Sequence, residues 1–362
     1  MSIQDPRPAG HPHVLALRLC TPDVAGRVGG KALGLGRLLE QAADVPPGFV
    51  VTTDAYRDWV AVRGLEPEME RLLDGATEPA AQEMASREIR ALFAHAELPG
   101  ALVEQIGRAY AELDREPDPL VAVRSSATAE DTAEASFAGQ QETYLGVTGH
   151  ESVARHIVEC WASLFTAQAI SYRRRLGLPV GGVAMAVLVQ RMVAAEVSGV
   201  MLTLDPVTGD RSQIAIEAAF GLGLPVVGGE LTPDRYSVDK VTLEVRSRAI
   251  LTQPFADRLD PAAGGVRREA LSDAEGGARC LSDEEVVRLA TIGKRTERAL
   301  GGPVDMEWAM GPGPDGGRHL YLLQARPETV WSVRVKEPVA PPATTAVDRM
   351  VSMMLGRKGG PR

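Results

Sequence analysis

The chain has 362 residues, of which 44% are hydrophobic, enough to bury a sizeable core and to form two lobes. No stretch approaches the roughly 18 consecutive apolar residues of a membrane span, and the first residues, MSIQDPRPAGHPH, lack the basic start and apolar centre of a secretory signal. The net charge of −9 without a basic block excludes the charge pattern of a nucleic-acid-binding protein.

The three cysteines, Cys20, Cys160 and Cys280, lie far apart in sequence and lack the spacing of zinc ligands. Their distribution argues against a disulfide framework and favours a reducing compartment. We therefore expect a cytoplasmic protein that binds neither membranes nor nucleic acid.

Gly29 and Gly30 precede a predicted helix that carries apolar residues at positions 35, 38 and 39. The two glycines leave the first N–H groups of that helix accessible, and Lys31 in its first turn adds a point charge suited to phosphate. The segment is not a Walker A loop, so a flexible helix start with a solvated lysine fits the same pattern.

Helical patterns dominate two further regions. Residues 65–115 alternate acidic and basic side chains over a helical period and predict a solvated helical layer. Residues 151–176 predict one helix with an apolar stripe, ending in three arginines at 173–175 that favour the helix C-terminus over a ligand. Residues 252–281 are rich in Asp, Gly, Pro and Arg, and predict a long, partly mobile excursion.

A short apolar run at residues 120–123 has the length of a buried strand and places Arg124 at its carboxyl end. The polar residues from Ser125 to Asp131 show no hydrophobic repeat and predict a loop. An arginine there can hold phosphate oxygens in a bidentate geometry, while loop hydroxyls and N–H groups donate to the same oxygens. A solvated arginine in a surface loop would give the same pattern.

Near the C-terminal end, two alternating strands flank an Asp-Gly dipeptide at 315–316, which is typical of a hairpin turn. A two-residue turn there pairs Glu307 with Gln324 and Asp305 with Arg326. Carboxylate and amide oxygens are ligands that Mg²⁺ accepts, with phosphate and water completing its octahedron. A purely structural Glu–Arg pair would use the same residues.

Several segments resemble, in order, the ATP-binding domain of the phosphoenolpyruvate synthase and pyruvate phosphate dikinase family, to which the rifampicin phosphotransferases also belong. The segments are GGK, PPGFVVTTDAY, VRSSATAED, SFAGQQETYL, DMEW and LLQARPET. The resemblance implies an α+β fold of the ATP-grasp type, with two lobes, mixed or antiparallel sheets and flanking helices. We expect a leader over 1–19, an N-terminal lobe over 20–192, a C-terminal lobe over 193–332 and a flexible tail over 333–362.

The resemblance also implies ATP and Mg²⁺ as cofactors and assigns their ligands by position. The residues implied to contact ATP are Lys31, Arg124, Gly139, Thr143, Gln190, Glu307, Gln324 and Arg326. Of these, Lys31, Arg124 and Arg326 are expected to act catalytically on the phosphates. Glu307 and Gln324 are expected to hold the metal ion.

Members of this family pass a phosphoryl group from ATP to a histidine on a separate swivelling domain, with AMP and phosphate as products. None of the six histidines here lies in the Gly-rich, Ser/Thr-His context of that carrier. We therefore expect the ATP-binding subunit of a split phosphotransferase, like that of phenylphosphate synthase, whose partner subunit carries the histidine and the acceptor-binding domain. Two alternatives remain: a nucleotide-sensing subunit without turnover, and an ATP-grasp ligase that releases ADP.

Overall fold

A computed structural model describes residues 12–115, 117–127, 142–175, 177, 183–313 and 316–331. Within these residues the helices are Ala25–Glu40 (α1), Thr53–Val62 (α2), Glu66–Asp74 (α3), Pro79–His95 (α4), Gly100–Ala111 (α5), His150–Ala162 (α6), Ala167–Arg175 (α7), Leu224–Val227 (α8), Asp273–Gly276 (α9) and Asp283–Leu300 (α10). The strands are Val14–Ala16 (β1), Gly48–Val51 (β2), Val121–Ala127 (β3), Thr143–Val147 (β4), Met185–Arg191 (β5), Val197–Leu202 (β6), Gln213–Phe220 (β7), Asp234–Asp239 (β8), Val245–Ala249 (β9), Phe255–Leu259 (β10), Val266–Ala270 (β11), Val304–Pro312 (β12) and Arg318–Pro327 (β13).

Two larger sheets organise these elements. The first sheet has the strand order β1-β2-β5-β3-β4, and the second has the order β13-β12-β6-β7-β8-β9. Neighbouring strands run antiparallel in both sheets. Strands β10 and β11 form a separate hairpin. The predicted α+β class, with antiparallel sheets and flanking helices, is confirmed.

One face of the first sheet is covered by helices. Because side chains alternate along a strand, Val123 and Val187 point to this face, where they join a core with Trp59, Phe93 and Trp161. The rings of Trp59 and Phe93 meet edge to face at 4.9 Å between centroids. This helical layer therefore anchors the sheet from the side opposite to the site described below.

The second core is shared by both sheets and by helix α1. It includes Leu188 from the first sheet, Leu35 from α1, and Met306 and Leu322 from the second sheet. The helix packs against strands of both sheets. A shared core of this kind holds the two sheets as parts of one packed structure.

The prediction of one uninterrupted helix over 151–176 is wrong, and residues 252–281 hold more regular structure than the sequence indicated. The helix expected over 151–176 is interrupted by a 3-10 turn at Ser163–Phe165, and Arg173 folds back so that its guanidinium donates to the carbonyl of Leu164 in that turn. Burial lowers the pKa of Arg173 to about 10. Residues 252–281, predicted to be a long and partly mobile excursion, contain β10, β11 and α9, and cross-strand ion pairs such as Arg258–Glu269 stabilise the hairpin.

The first sheet draws on residues 14–191, and the second on residues 197–327. Strand β1 belongs to the first sheet although it lies within the expected leader, because it pairs with β2. The bounds of the four predicted segments otherwise stay a prediction, and the expected tail at 333–362 lies outside the described residues.

All three cysteines are buried and carry free thiols. Burial raises the pKa of each thiol, that of Cys20 to about 12, so each stays protonated near neutral pH. Across the described part of the chain, no helix combines the length and the apolar character needed to cross a bilayer.

Candidate functional site

Strand β3 carries Arg124, and it is longer than the sequence predicted. Ser125 and Ser126, expected in a loop, pair with β5 and are buried. The hydroxyl of Ser126 donates to the carbonyl of Val28 at 2.9 Å. The loop prediction is wrong for these residues because the protein itself satisfies their polar groups.

The hairpin of β12 and β13 brings together the four polar residues predicted from its register. Glu307 faces Gln324, and Asp305 faces Arg326, so both predicted pairings are confirmed. These residues alternate with buried ones such as Met306, which places them together on the face of the sheet away from that core.

The turn of this hairpin differs from the prediction. Pro312 pairs with Arg318, so five residues separate the strands where a two-residue turn was predicted. Residues 314 and 315 lie outside the described part of the chain. A β-bulge lies next to Glu307, with Leu323 as the extra residue. The bulge shifts the strand pairing by one residue, so Glu307 and Asp305 have the partners that the sequence predicted.

Arg124 reaches across from the first sheet to this hairpin of the second sheet. Its Nη2 donates to Glu307 Oε2 at 2.7 Å and to Gln324 Oε1 at 2.9 Å. Its Nη1 donates to the carbonyl oxygen of Leu323 at 3.2 Å. The bulge thus supplies a third acceptor, which the sequence did not reveal because a bulge depends on how two strands pair.

Arg326 has a different partner. Its Nε and Nη2 donate to Asp305 Oδ2 at 2.9 and 2.7 Å. The side chain of Arg326 is 53% exposed, whereas that of Arg124 is 12% exposed. The guanidinium that contacts the predicted metal ligands is therefore that of Arg124, and Arg326 lies nearer to solvent on the same hairpin.

Helix α1 positions Lys31 against strand β3. The helix is kinked at Gly29, where φ is 75° and ψ is 170°. A Cβ at Gly29 would lie 2.1 Å from the carbonyl oxygen of Ser126, so the position requires glycine for its conformation and for space. Lys31 Nζ donates to the carbonyl oxygen of Ser125 at 3.0 Å. Gly29 is therefore packed tightly against β3, and Lys31 has a partner within the protein, in contrast to the alternative of a solvated lysine.

A cavity of about 170 Å³ opens beside these residues. Arg124, Thr143, Gln190 and Glu307 line it, so four of the predicted ATP ligands share one space. Gln190 is buried and its Nε2 donates to the carbonyl of Pro46 at 3.2 Å. The predicted ligand Gly139 lies outside the described residues.

Apolar side chains form much of the cavity wall, and the sequence did not single them out. They are Leu145, Met192, Val193, Leu222, Leu224 and Val227. They come from three separate segments, and isolated apolar residues carry no pattern that distinguishes a cavity wall from a core. Such a wall with a few convergent polar groups is typical of a small-molecule site.

The oxygens of Glu307 and Gln324 suit a divalent metal ion. In the described residues, no group of three or more His, Cys, Asp or Glu is arranged to hold a metal. Mg²⁺ is commonly held by one or two carboxylates, with phosphate and water as its other ligands. Glu307 Oε2 and Gln324 Oε1 converge, because both accept a hydrogen bond from the same nitrogen. This pair of hard oxygen donors therefore fits Mg²⁺ bound together with a phosphate.

Comparison with known proteins places the chain among ATP-binding domains. The family model described as pyruvate phosphate dikinase, AMP/ATP-binding domain, matches residues 25–346, so the chain belongs to this family. The predicted family is confirmed.

Several relatives are phosphoenolpyruvate synthases. That of Aeropyrum pernix is 39% identical, over 96% of this chain and 46% of its own length. That of Deinococcus radiodurans is 40% identical, over 84% of this chain and 40% of its own length. The chain thus spans less than half the length of these relatives. Among solved structures, D-alanyl-alanine synthetase A from Vibrio cholerae matches with 11% identity and a TM-score of 0.24, covering 67% of this chain and 54% of its own.

We expect Arg124→Ala and Arg326→Ala each to weaken ATP binding by roughly tenfold to over a hundredfold, because a hydrogen bond to a charged group contributes about 1.5–3 kcal/mol. Calorimetric titration with ATP and Mg²⁺ measures the change. Arg175→Ala is the control, since Arg175 lies at the end of α7 with its guanidinium over the ring of Tyr172. An equal loss in the control would contradict the assignment of the two site arginines.

Proposed function

We propose that this chain binds Mg·ATP in the cavity and passes a phosphoryl group to a histidine of a separate partner subunit, with AMP and phosphate as products. The observation that carries the proposal is the convergence of Arg124, Glu307 and Gln324 beside that cavity, in a chain of this ATP-binding family. Phosphoryl transfer depends chiefly on positioning and on neutralising charge, which these residues are suited to provide.

Each residue has a proposed task in that reaction. Arg124, Lys31 and Arg326 bind the phosphates and neutralise their charge. Glu307 and Gln324 hold Mg²⁺, which supplies positive charge to the phosphate oxygens when bound. The apolar wall takes the base of the nucleotide, with Gln190 and Thr143 at its polar edge.

The acceptor histidine is proposed to lie outside this sequence. Five histidines are in the described residues, and none of them lines the cavity. His13 contacts Asp58 at 2.9 Å, and His319 contacts Asp44 at 3.1 Å, so both have structural partners. The separate-subunit arrangement itself stays a prediction.

We expect the purified chain to bind Mg·ATP unaided at a single site, because every proposed nucleotide ligand lies within it. Calorimetry measures the affinity and the stoichiometry. The absence of binding at millimolar ATP would overturn the proposal.

Analysis of products by chromatography separates the remaining alternatives. With a histidine-bearing partner fragment, AMP and phosphate are expected, and label from the β-phosphate of ATP is expected on the partner. ADP as the sole product would favour a ligase or an ordinary kinase. Tight binding with no turnover in the presence of that partner would favour a nucleotide sensor.

A further inference from the structure

Arg124 shares its acceptors with the proposed metal ion. The two oxygens assigned to Mg²⁺, Glu307 Oε2 and Gln324 Oε1, both accept hydrogen bonds from Arg124 Nη2. A metal ion bound to these two oxygens would compete with Arg124 Nη2 for their lone pairs. Competition for these lone pairs and repulsion between the two positive charges therefore disfavour binding of both cations at once.

The burial of Gln324 and the partial burial of Glu307 favour a cation beside them, whether or not nucleotide is bound. The side chain of Glu307 is 27% exposed, and Gln324 is 6% exposed. A carboxylate that is largely withdrawn from water is costly to leave without a countercharge. Arg124 provides that charge from the opposite sheet, and the carbonyl of Leu323 holds its other terminal nitrogen at 3.2 Å.

We infer that Arg124 takes the place of the divalent cation in the nucleotide-free protein, so that the metal ion enters only together with ATP. The phosphates of ATP offer the guanidinium new acceptors in a bidentate geometry, which releases Glu307 and Gln324 to the metal ion. Free metal ion alone offers Arg124 no such acceptor and therefore binds weakly. This inference rests on the proposed function, because it concerns the same metal ligands.

The test measures metal binding to the nucleotide-free protein, with Mn²⁺ as the probe and the electron paramagnetic resonance signal of free Mn²⁺ as the readout. Arg124→Met removes the charge and keeps a long side chain. We expect this variant to bind one Mn²⁺ roughly tenfold more tightly than the wild type, or better, because the ion no longer displaces a charge-assisted hydrogen bond. Arg124→Met combined with Glu307→Gln should lose that gain.

Arg191→Met is the matched control. Arg191 also lines the cavity and forms an ion pair with an acid, Asp114, at 2.6 Å. Its loss removes the same charge from the same cavity without freeing the two proposed metal ligands. An equal rise in Mn²⁺ affinity in this control would mean that net charge alone governs binding, which would overturn the inference.

Unchanged Mn²⁺ affinity in a folded Arg124→Met protein would also overturn it. Should that variant fail to fold, Arg124→Gln is subject to the same test. The wild-type titration with Mg·ATP separates this inference from the proposed function. Absent ATP binding together with a gain of Mn²⁺ binding in Arg124→Met would reject the function and the entry of the metal ion with ATP, and would support only the part of the inference in which Arg124 occupies the metal ligands.

Discussion

Glu307→Gln is expected to reduce phosphoryl transfer to the partner histidine at least about a hundredfold, since a metal ion supplies several kcal/mol of charge stabilisation and about 1.4 kcal/mol corresponds to a factor of ten. Glutamine keeps the shape of the side chain but removes the charge of the proposed carboxylate ligand of Mg²⁺. ATP affinity should stay within roughly tenfold of the wild type, because the proposed phosphate ligands Arg124 and Lys31 remain. AMP formation with ATP labelled in the β-phosphate measures transfer, and calorimetry measures binding.

Glu68→Gln serves as the control for this variant. Glu68 accepts two hydrogen bonds from Arg71, at 2.7 and 2.6 Å, in the helical layer and not at the cavity. The control should transfer at the wild-type rate. Wild-type transfer in Glu307→Gln would mean that Glu307 holds no metal ion. Equal loss of binding and transfer would indicate that its ion pair with Arg124 is structural.

Gly29→Ala is expected to lower the free energy of unfolding by roughly 2–6 kcal/mol. This is the sum of about 1–3 kcal/mol for a glycine-only backbone conformation and about 1–3 kcal/mol for a clash in a packed core. The new Cβ would meet the carbonyl oxygen of Ser126 at 2.1 Å, and that oxygen belongs to strand β3, which cannot move without its sheet. Urea unfolding measures the loss. ATP affinity should fall as well, because Lys31 lies two residues further along α1.

Gly26→Ala tests the same helix without the clash. No atom lies within 4 Å of the position that its Cβ would take. Alanine stabilises a helix relative to glycine by up to about 1 kcal/mol, so this variant should unfold at the same or a slightly higher urea concentration. If Gly29→Ala behaves like Gly26→Ala, the close approach of α1 to β3 is not a constraint on the fold.

The hairpin of β12 and β13 shows how much of a structure the local sequence pattern can predict. Alternation of polar and apolar residues predicted its strands, and the pairing of Glu307 with Gln324 is confirmed. The predicted turn was nevertheless wrong by three residues in length, and the bulge at Leu323 compensates for the shift. The observed register at Glu307 agrees with the predicted one because the apolar face must stay buried. A slip of one residue would move every side chain of the strand to the opposite face of the sheet.

Long-range partners could not be read from the sequence. Ser125 and Ser126 resemble loop residues when only their neighbours along the chain are considered, and their strand pairing comes from β5, about 60 residues later. Likewise, the sequence placed Arg326 beside the metal ligands through the hairpin register. Arg124, almost 200 residues away, is the arginine that contacts them in the fold.

The sequence by itself determined the α+β class, the family and the residue pairs of the hairpin, because each depends on local periodicity or a contiguous motif. The tertiary structure decided which arginine meets Glu307, why Gly29 has no room for a side chain, and which apolar residues line the cavity. Those outcomes depend on how two sheets and helix α1 pack together, and contacts between segments distant in sequence have no signature within any one of them.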